Sequence, residues 1–118
     1  MTEYVVMFPA DNEEERASRT PAERQAVFAT DAEFGRLLEA RGGAVTGGAG
    51  LTLSGQARTL TRGPRSEVLV TEGPYAESAE QLSGFFVVSC DEYDALVEAA
   101  RVLTWAHPVV EIRPVQEF

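Results

Sequence analysis

The sequence predicts an α+β domain in which two βαβ crossovers share one sheet. Three features point there. Two short stretches, Tyr4–Phe8 and Phe85–Val88, are apolar at every position, as strands covered on both faces are. Each is followed by a segment with apolar residues at helical spacing. Between the two units lies a stretch broken by Gly and Pro that reads as further strands and a hairpin.

The bulk numbers bound the answer. The 118 residues fit one domain, spanning 1–118, and a chain of this size buries roughly two-thirds of its unfolded surface. With 44% hydrophobic and 25% charged residues it is globular rather than disordered. No apolar run approaches the ~20 residues of a membrane span. The start lacks the basic region and cleavage site of a signal peptide, so the expected location is the cytoplasm. The net charge is −9, and no Lys/Arg cluster would neutralise phosphates, which argues against nucleic-acid partners. All ten bases are arginine, which excludes a lysine Schiff base and a P-loop ATPase. One cysteine, Cys90, and one histidine, His107, leave no internal disulfide and no zinc knuckle. No cofactor and no metal site are expected.

Element by element, Tyr4–Phe8 is the first strand and Pro9 ends it. Asp11 to Arg19 reads as a polar, mobile loop whose Glu13-Glu14-Glu15 run is solvated. Thr20-Pro21-Ala22-Glu23 opens a helix, with Thr20 as cap, Pro21 at the first helical position and Glu23 closing a capping box. Val27, Phe28, Phe34, Leu37 and Leu38 mark its buried stripe, and Gly42-Gly43 stops it, giving a helix over 21–41. Ala44 to Gly55 reads as a strand, or strand pair, with a bulge. Thr59–Arg62 and Glu67–Thr71 flank Gly63-Pro64 as a hairpin, and Glu72-Gly73-Pro74-Tyr75 is a turn. Ala76 to Ser83 is a loop or one helical turn. Phe85–Val88 is the second strand apolar on both faces. Ser89 to Glu92 fits a capping box, and Tyr93, Leu96, Val97, Ala100 and Leu103 mark a second helix over 91–104. Val109–Arg113, half polar, closes the chain as an outer strand.

This order is that of a ferredoxin-like βαββαβ sandwich with an extra β-hairpin. In that topology the strands preceding each helix are central, and here those two are apolar on both faces. Both helices cover the same face of the sheet. Val5, Met7, Phe85 and Val87, or their neighbours in the other register, then face water unless something covers them. Burying even ~600 Å² of apolar area per subunit favours association by ~15 kcal/mol before entropic costs. A homodimer packed through the open sheet face is therefore expected; the alternative is that Ala44 to Thr71 folds back over that face.

The stretch Val70-Thr71-Glu72-Gly73-Pro74-Tyr75-Ala76-Glu77-Ser78-Ala79-Glu80-Gln81-Leu82-Ser83-Gly84-Phe85-Phe86 resembles the signature of the YCII-related, DGPF-domain family. Glu72 stands where that pattern has Asp, Tyr75 where it has Phe, Ala79 where it has Lys and Ser83 where it has Gly. The opening strand, the Pro-Ala-Glu-Arg helix start, Gly47-Gly48 before Leu51 and the closing Val110 to Val115 extend the resemblance over nearly the whole chain. The resemblance implies a dimeric α/β barrel. It also implies kinship with small isomerases, dehalogenases and monooxygenases that hold a pocket between sheet and helices. Some members accompany extracytoplasmic-function sigma factors. It implies, further, a His–Asp pair with the histidine on the first helix; Asp31 to Glu33 occupy that place here, without a histidine.

The candidate site residues follow. Glu72 and Glu77 bracket the signature turn and would serve as general acid and base if desolvated, or simply shape the turn. Asp31, an acid on or beside the apolar stripe of the first helix, is a third candidate; if buried it requires a partner, Arg58 or Arg62, and otherwise it lies at the stripe's edge. Tyr75, with Pro74 and Gly73, offers a ring and a turn to a ligand. His107 titrates near neutrality and is either a ligand-binding group or a solvent-facing loop residue. Cys90 sits at a helix start, which lowers a thiol pKa, or is buried as a small apolar residue.

Two functions remain open on the sequence. One is a small accessory module that binds an organic ligand or a protein partner, in sigma-factor-linked regulation among other settings. The other is a metal-free acid/base enzyme acting on a small carbonyl or lactone substrate. Metal binding by His107 with carboxylates across a dimer is the weakest alternative, since no ligand spacing supports it.

Overall fold

The computed structural model describes residues 1–117. Its main sheet has four antiparallel strands: β1 (Thr2–Met7), β3 (Ala44–Gly50), β7 (Gly84–Cys90) and β8 (Glu111–Pro114), in the order β3-β7-β1-β8. The two fully apolar strands occupy the middle. Period-two alternation divides their side chains between two faces. Tyr4, Val6, Val88 and Cys90 point into the core with Phe8, which directly follows β1. The cross-strand pairs Val5–Val87 and Met7–Phe85 lie on the opposite, half-exposed face.

The helices α2 (Pro21–Glu39) and α3 (Tyr93–Ala100) cover the inner face and contribute Phe34, Leu38, Leu96, Ala99 and Ala100 to the core. The start of α2 is locked by a complete capping box: the Glu23 N–H donates to Thr20 Oγ1 at 3.1 Å and the Thr20 N–H to Glu23 Oε1 at 3.1 Å. The end is closed at Gly42, whose φ of 84° lets the Gly43 N–H reach the Leu38 carbonyl at 3.0 Å, a left-handed cap that disfavours a side chain.

Four local expectations are corrected. Asp11 to Arg19 is ordered structure: β2 (Asp11–Asn12) pairs with β6 (Glu80–Gln81), and α1 (Glu13–Ser18) follows. The acidic run is the first turn of α1, where it complements the helix dipole, and Asn12 caps it by accepting from the Glu15 N–H at 3.0 Å. Second, α2 ends at Glu39, two residues early. Third, there is no capping box before α3; Ser89 stays in β7, paired with Glu3 and Ala44, and Glu92 takes the cap position without a side-chain bond. Sheet pairing has claimed the residue that the helix would use. Fourth, the second helix is shorter than 91–104: α3 gives way at Arg101 to a 3-10 turn ending at Trp105.

The strand β3 carries the expected bulge, between Val45 and Gly47. The extra hairpin is β4 (Arg58–Arg62) and β5 (Val68–Glu72), which pair with each other and not with the main sheet. It projects, leaving Leu60, Val68 and Val70 63–65% exposed. The radius of gyration, 16.4 Å, accordingly exceeds the about 13.5 Å of a compact chain of this length. Ala44 to Thr71 does not fold back to bury the outer sheet face, where Val5, Met7, Phe85 and Val87 remain half-exposed. Among the described residues no helix is long and apolar enough to cross a membrane.

Candidate active site

The site gathers where β1 ends. After Phe8 the chain turns through Pro9 into β2, which sets Asp11 opposite Gln81. The Ser83 N–H donates to the Phe8 carbonyl at 2.9 Å, and the Phe8 N–H to the Gly84 carbonyl at 3.1 Å, so Ser83 is fixed beside Asp11. From the other end of the chain, the 3-10 turn after α3 delivers His107, whose N–H donates to the Leu103 carbonyl at 2.9 Å. Midway along α2, Asp31 faces the same point.

These residues form one hydrogen-bonded line. Ser83 Oγ donates to Asp11 Oδ2 at 2.6 Å. His107 Nδ1 lies 2.8 Å from the same Asp11 oxygen, and His107 Nε2 lies 3.2 Å from Asp31 Oδ1. The imidazole stacks on the Phe8 ring, with centroids 3.6 Å apart and planes within 6°. Asp11 and His107 are buried, at 1% and 4% exposure, whereas the Asp31 side chain keeps 22% of its surface open. Asp31 is thus the end of the line that a small molecule meets.

Both ring nitrogens face a carboxylate oxygen, a geometry that suits the imidazolium, which donates from each. Burial alone would lower the pKa of His107, but the hydrogen bonds to Asp11 and Asp31, reinforced by their charges, raise it above the ordinary histidine value. Burial alone would raise Asp11. The hydrogen bonds from His107 and Ser83, with the charges of His107 and Arg19, outweigh that effect and hold its carboxyl below the usual aspartate value. Asp11 Oδ1 has no hydrogen-bond partner.

Phe8, Asp11, Asp31, Ser83 and His107 line a cavity of about 660 Å³. Val27 and Phe28 of α2 form one wall and Phe86 another, and Arg16 and Ala17 of α1 with Thr52, Leu53 and Gln56 line a further side. The segment 51–56 is tied to α1 by Glu13, whose carboxylate accepts from the Ser54 N–H at 2.7 Å and from the Ser54 hydroxyl, and by Arg16, whose Nη2 donates to the Leu51 carbonyl at 2.7 Å. An apolar chamber with a few convergent polar groups is the usual form of a small-molecule site.

Of the residues singled out from the sequence, the structure brings Asp31 and His107 together. His107 is buried, not turned to solvent. The partner of Asp31 is this histidine, not Arg58 or Arg62, which lie on the projecting hairpin. Glu72 and Glu77 are exposed and do not line the cavity, and Tyr75 is 87% exposed. Gly73 and Pro74 form the turn between them, with the Gly73 N–H donating to the Ala57 carbonyl at 2.7 Å and φ at 102°. Cys90 is a buried core residue. Among the described residues no group of three or more His, Cys, Asp or Glu side chains is arranged to hold a metal ion.

Sequence reading missed Asp11, Ser83 and Phe8. Asp11 lies in a segment whose polar sequence reads as a loop. Ser83 did carry a signal, since it departs from the glycine of the signature it resembles, and its hydroxyl is the atom that reaches Asp11.

An uncharacterized protein of Rhizobium meliloti (strain 1021) is 38% identical over 61 residues, 49% of this chain and 49% of its own length. The chain thus spans about half the length of that curated relative. The YCII-related domain matches residues 2–118, and the protein belongs to the YCII-related family.

Proposed function

We propose that this protein catalyses proton transfer on a small organic substrate, a carbonyl compound or lactone with an acidic C–H bond, without a metal. The observation that carries this reading is His107 held between Asp11 and Asp31 at the wall of a largely apolar cavity. Asp31, open to the cavity, accepts the proton from the substrate carbon. The imidazolium beside it supplies positive charge while the substrate becomes an enolate, and the buried placement of His107 strengthens that interaction. Returning the proton from Asp31 to a different carbon completes an isomerisation. Asp11 and Ser83 act through His107: Asp11 balances the charge of its imidazolium and fixes its orientation, and Ser83 holds Asp11 in place.

The test is solvent exchange. A panel of small lactones and α-acidic ketones is incubated in D₂O and followed by NMR. The wild-type protein is expected to catalyse exchange of at least one member, and Asp31→Asn to slow it by about 100-fold or more. Exchange undiminished in Asp31→Asn sinks the assignment. Binding without exchange by any member of the panel points instead to the accessory ligand-binding role.

A homodimer through the open sheet face accompanies this proposal. It is supported by the Val5–Val87 and Met7–Phe85 pairs on the face without helices, and by the apolar Leu60, Val68 and Val70 on the projecting hairpin. A second copy related by a two-fold axis covers both sets at once. Sedimentation is expected to show twice 12.8 kDa, and Val87→Glu a single-chain species. A wild-type monomer at micromolar concentration removes the dimer.

A further inference from the structure

The chain carries −9 overall, yet Arg16, Arg19 and Arg24 all line the one cavity that holds His107 and Asp31. Among the described residues only Arg36 and Arg101 have a carboxylate within 4.0 Å, each paired on its own helix; the three cavity arginines, like the others, have none. Their hydrogen bonds go to backbone: Arg16 Nη2 to the Leu51 carbonyl at 2.7 Å, and Arg24 Nη1 to the Arg19 carbonyl at 2.9 Å. Arg16 Nη1 is buried without any partner. An unpaired guanidinium nitrogen beside a cavity is costly unless an acceptor arrives. The charge of Arg19 is felt as far as Asp11, so the basic wall and the acid/base line belong to the same chamber.

We infer that the cavity recognises an organic acid, holding its carboxylate against Arg16 and Arg19 with Arg24 at the rim. The planar fork of a guanidinium matches a carboxylate in geometry as well as charge. The rest of the wall, with Val27, Phe28 and Leu53, is apolar and suits an uncharged body attached to that group, which argues against a bare inorganic anion. Arg24 and Asp31 stand on one face of α2, seven residues and therefore about 10.5 Å of helix rise apart. A bound acid is then oriented: its carboxylate lies at the arginine end, and the carbon that exchanges a proton lies at the Asp31 end.

The inference rests on the proposed reaction only in assigning that orientation, so binding and exchange are measured separately. Benzoate, benzamide and inorganic phosphate serve as probes of the full chain, with calorimetry as the readout. Benzoate is expected to bind at least tenfold more tightly than either of the others. Arg19→Gln, and independently the exposed Arg24→Gln, are expected to weaken benzoate by fivefold or more while leaving benzamide unchanged. Arg16→Lys retains the charge but loses the fork, and is expected to fall between wild type and Arg16→Gln. Benzamide or phosphate matching benzoate overturns the inference, as does benzoate binding indifferent to all three arginines. If benzoate binding fails these tests while Asp31→Asn still abolishes exchange, the acid subsite falls alone. If arginine-dependent benzoate binding holds while no lactone or ketone exchanges, the proton-transfer reading falls alone.

Discussion

His107 lies face to face on Phe8, with ring centroids 3.6 Å apart and planes 6° from parallel. The contact joins the residue just after the first strand to one just before the last. It leaves both ring nitrogens in the plane where Asp11 and Asp31 stand, 2.8 Å and 3.2 Å away. A phenyl face under an imidazolium is attractive through the ring quadrupole, and the stack prevents the imidazole from turning off its carboxylates. Phe8→Ala is expected to cost about 3–5 kcal/mol, as for other buried aromatic truncations, and to bring the pKa of His107 back toward its ordinary value. Chemical denaturation and NMR titration of the ring protons measure the two effects.

The pH dependence of stability has a definite sign. Because the pKa of His107 is raised in the folded protein, its contribution is fully present below the unfolded value of about 6.5 and is lost as pH rises through the higher folded value. The difference in Tm between wild type and His107→Gln is therefore expected to be largest near pH 6 and to shrink toward pH 9. Asp11 behaves oppositely. Its pKa is lowered, so its contribution is present above about 3.9 and is lost as pH falls through the lower folded value. A His107→Gln difference that grows between pH 6 and 9 contradicts the imidazolium.

Asp11 and Ser83 act on the site through His107. Asp11→Ala leaves a buried imidazolium facing one carboxylate instead of two and is expected to destabilise by about 3–5 kcal/mol. Ser83→Ala removes one charge-assisted hydrogen bond, worth about 1.5–3 kcal/mol, and raises the pKa of Asp11. Urea denaturation of both variants checks the order; equal losses contradict it.

Gly48 has φ of 143° and lies against the β7 backbone, where a Cβ would press on the Phe85 carbonyl. Gly48→Ala is expected to cost more than about 1–3 kcal/mol from backbone strain alone and to loosen β3, whose end lines the cavity. Hydrogen exchange at the β3 and β7 amides reports the loosening directly.

The cap of α2 gives a milder effect. Thr20→Ala removes the Oγ1 acceptor of the Glu23 N–H and is expected to cost about 1 kcal/mol, a shift of a few degrees in Tm. Since Thr20 is exposed and remote from Asp31 on the helix, exchange activity should be unchanged.

By itself the sequence determined what depends on neighbours along the chain. The capping box at Thr20–Glu23 uses atoms three residues apart, and it formed as read. Fully apolar Tyr4–Phe8 and Phe85–Val88, each placed before a helix, read as the central strands, and the sheet order has them there. The hairpin and the bulge in β3 followed from glycine and proline placement. The places where reading failed were contests with distant residues. Ser89 is a good helix cap by its chemistry, but strand pairing with Glu3 and Ala44 held it in the sheet. The Asp11–Arg19 segment has no periodicity of its own, and it became ordered because β6 supplied a strand for it.

Only the tertiary structure decided the site. His107 meets Asp11 across 96 residues of sequence and Asp31 across 76. No local rule ties such positions together, because the distance between their side chains is set by how sheet and helices stack. An isolated histidine after a helix reads as a loop residue, and an isolated aspartate on an apolar stripe reads as its edge. Burial makes Asp11 and His107 expensive alone, and that expense is offset by their hydrogen bond to each other, by Asp31 and by Ser83.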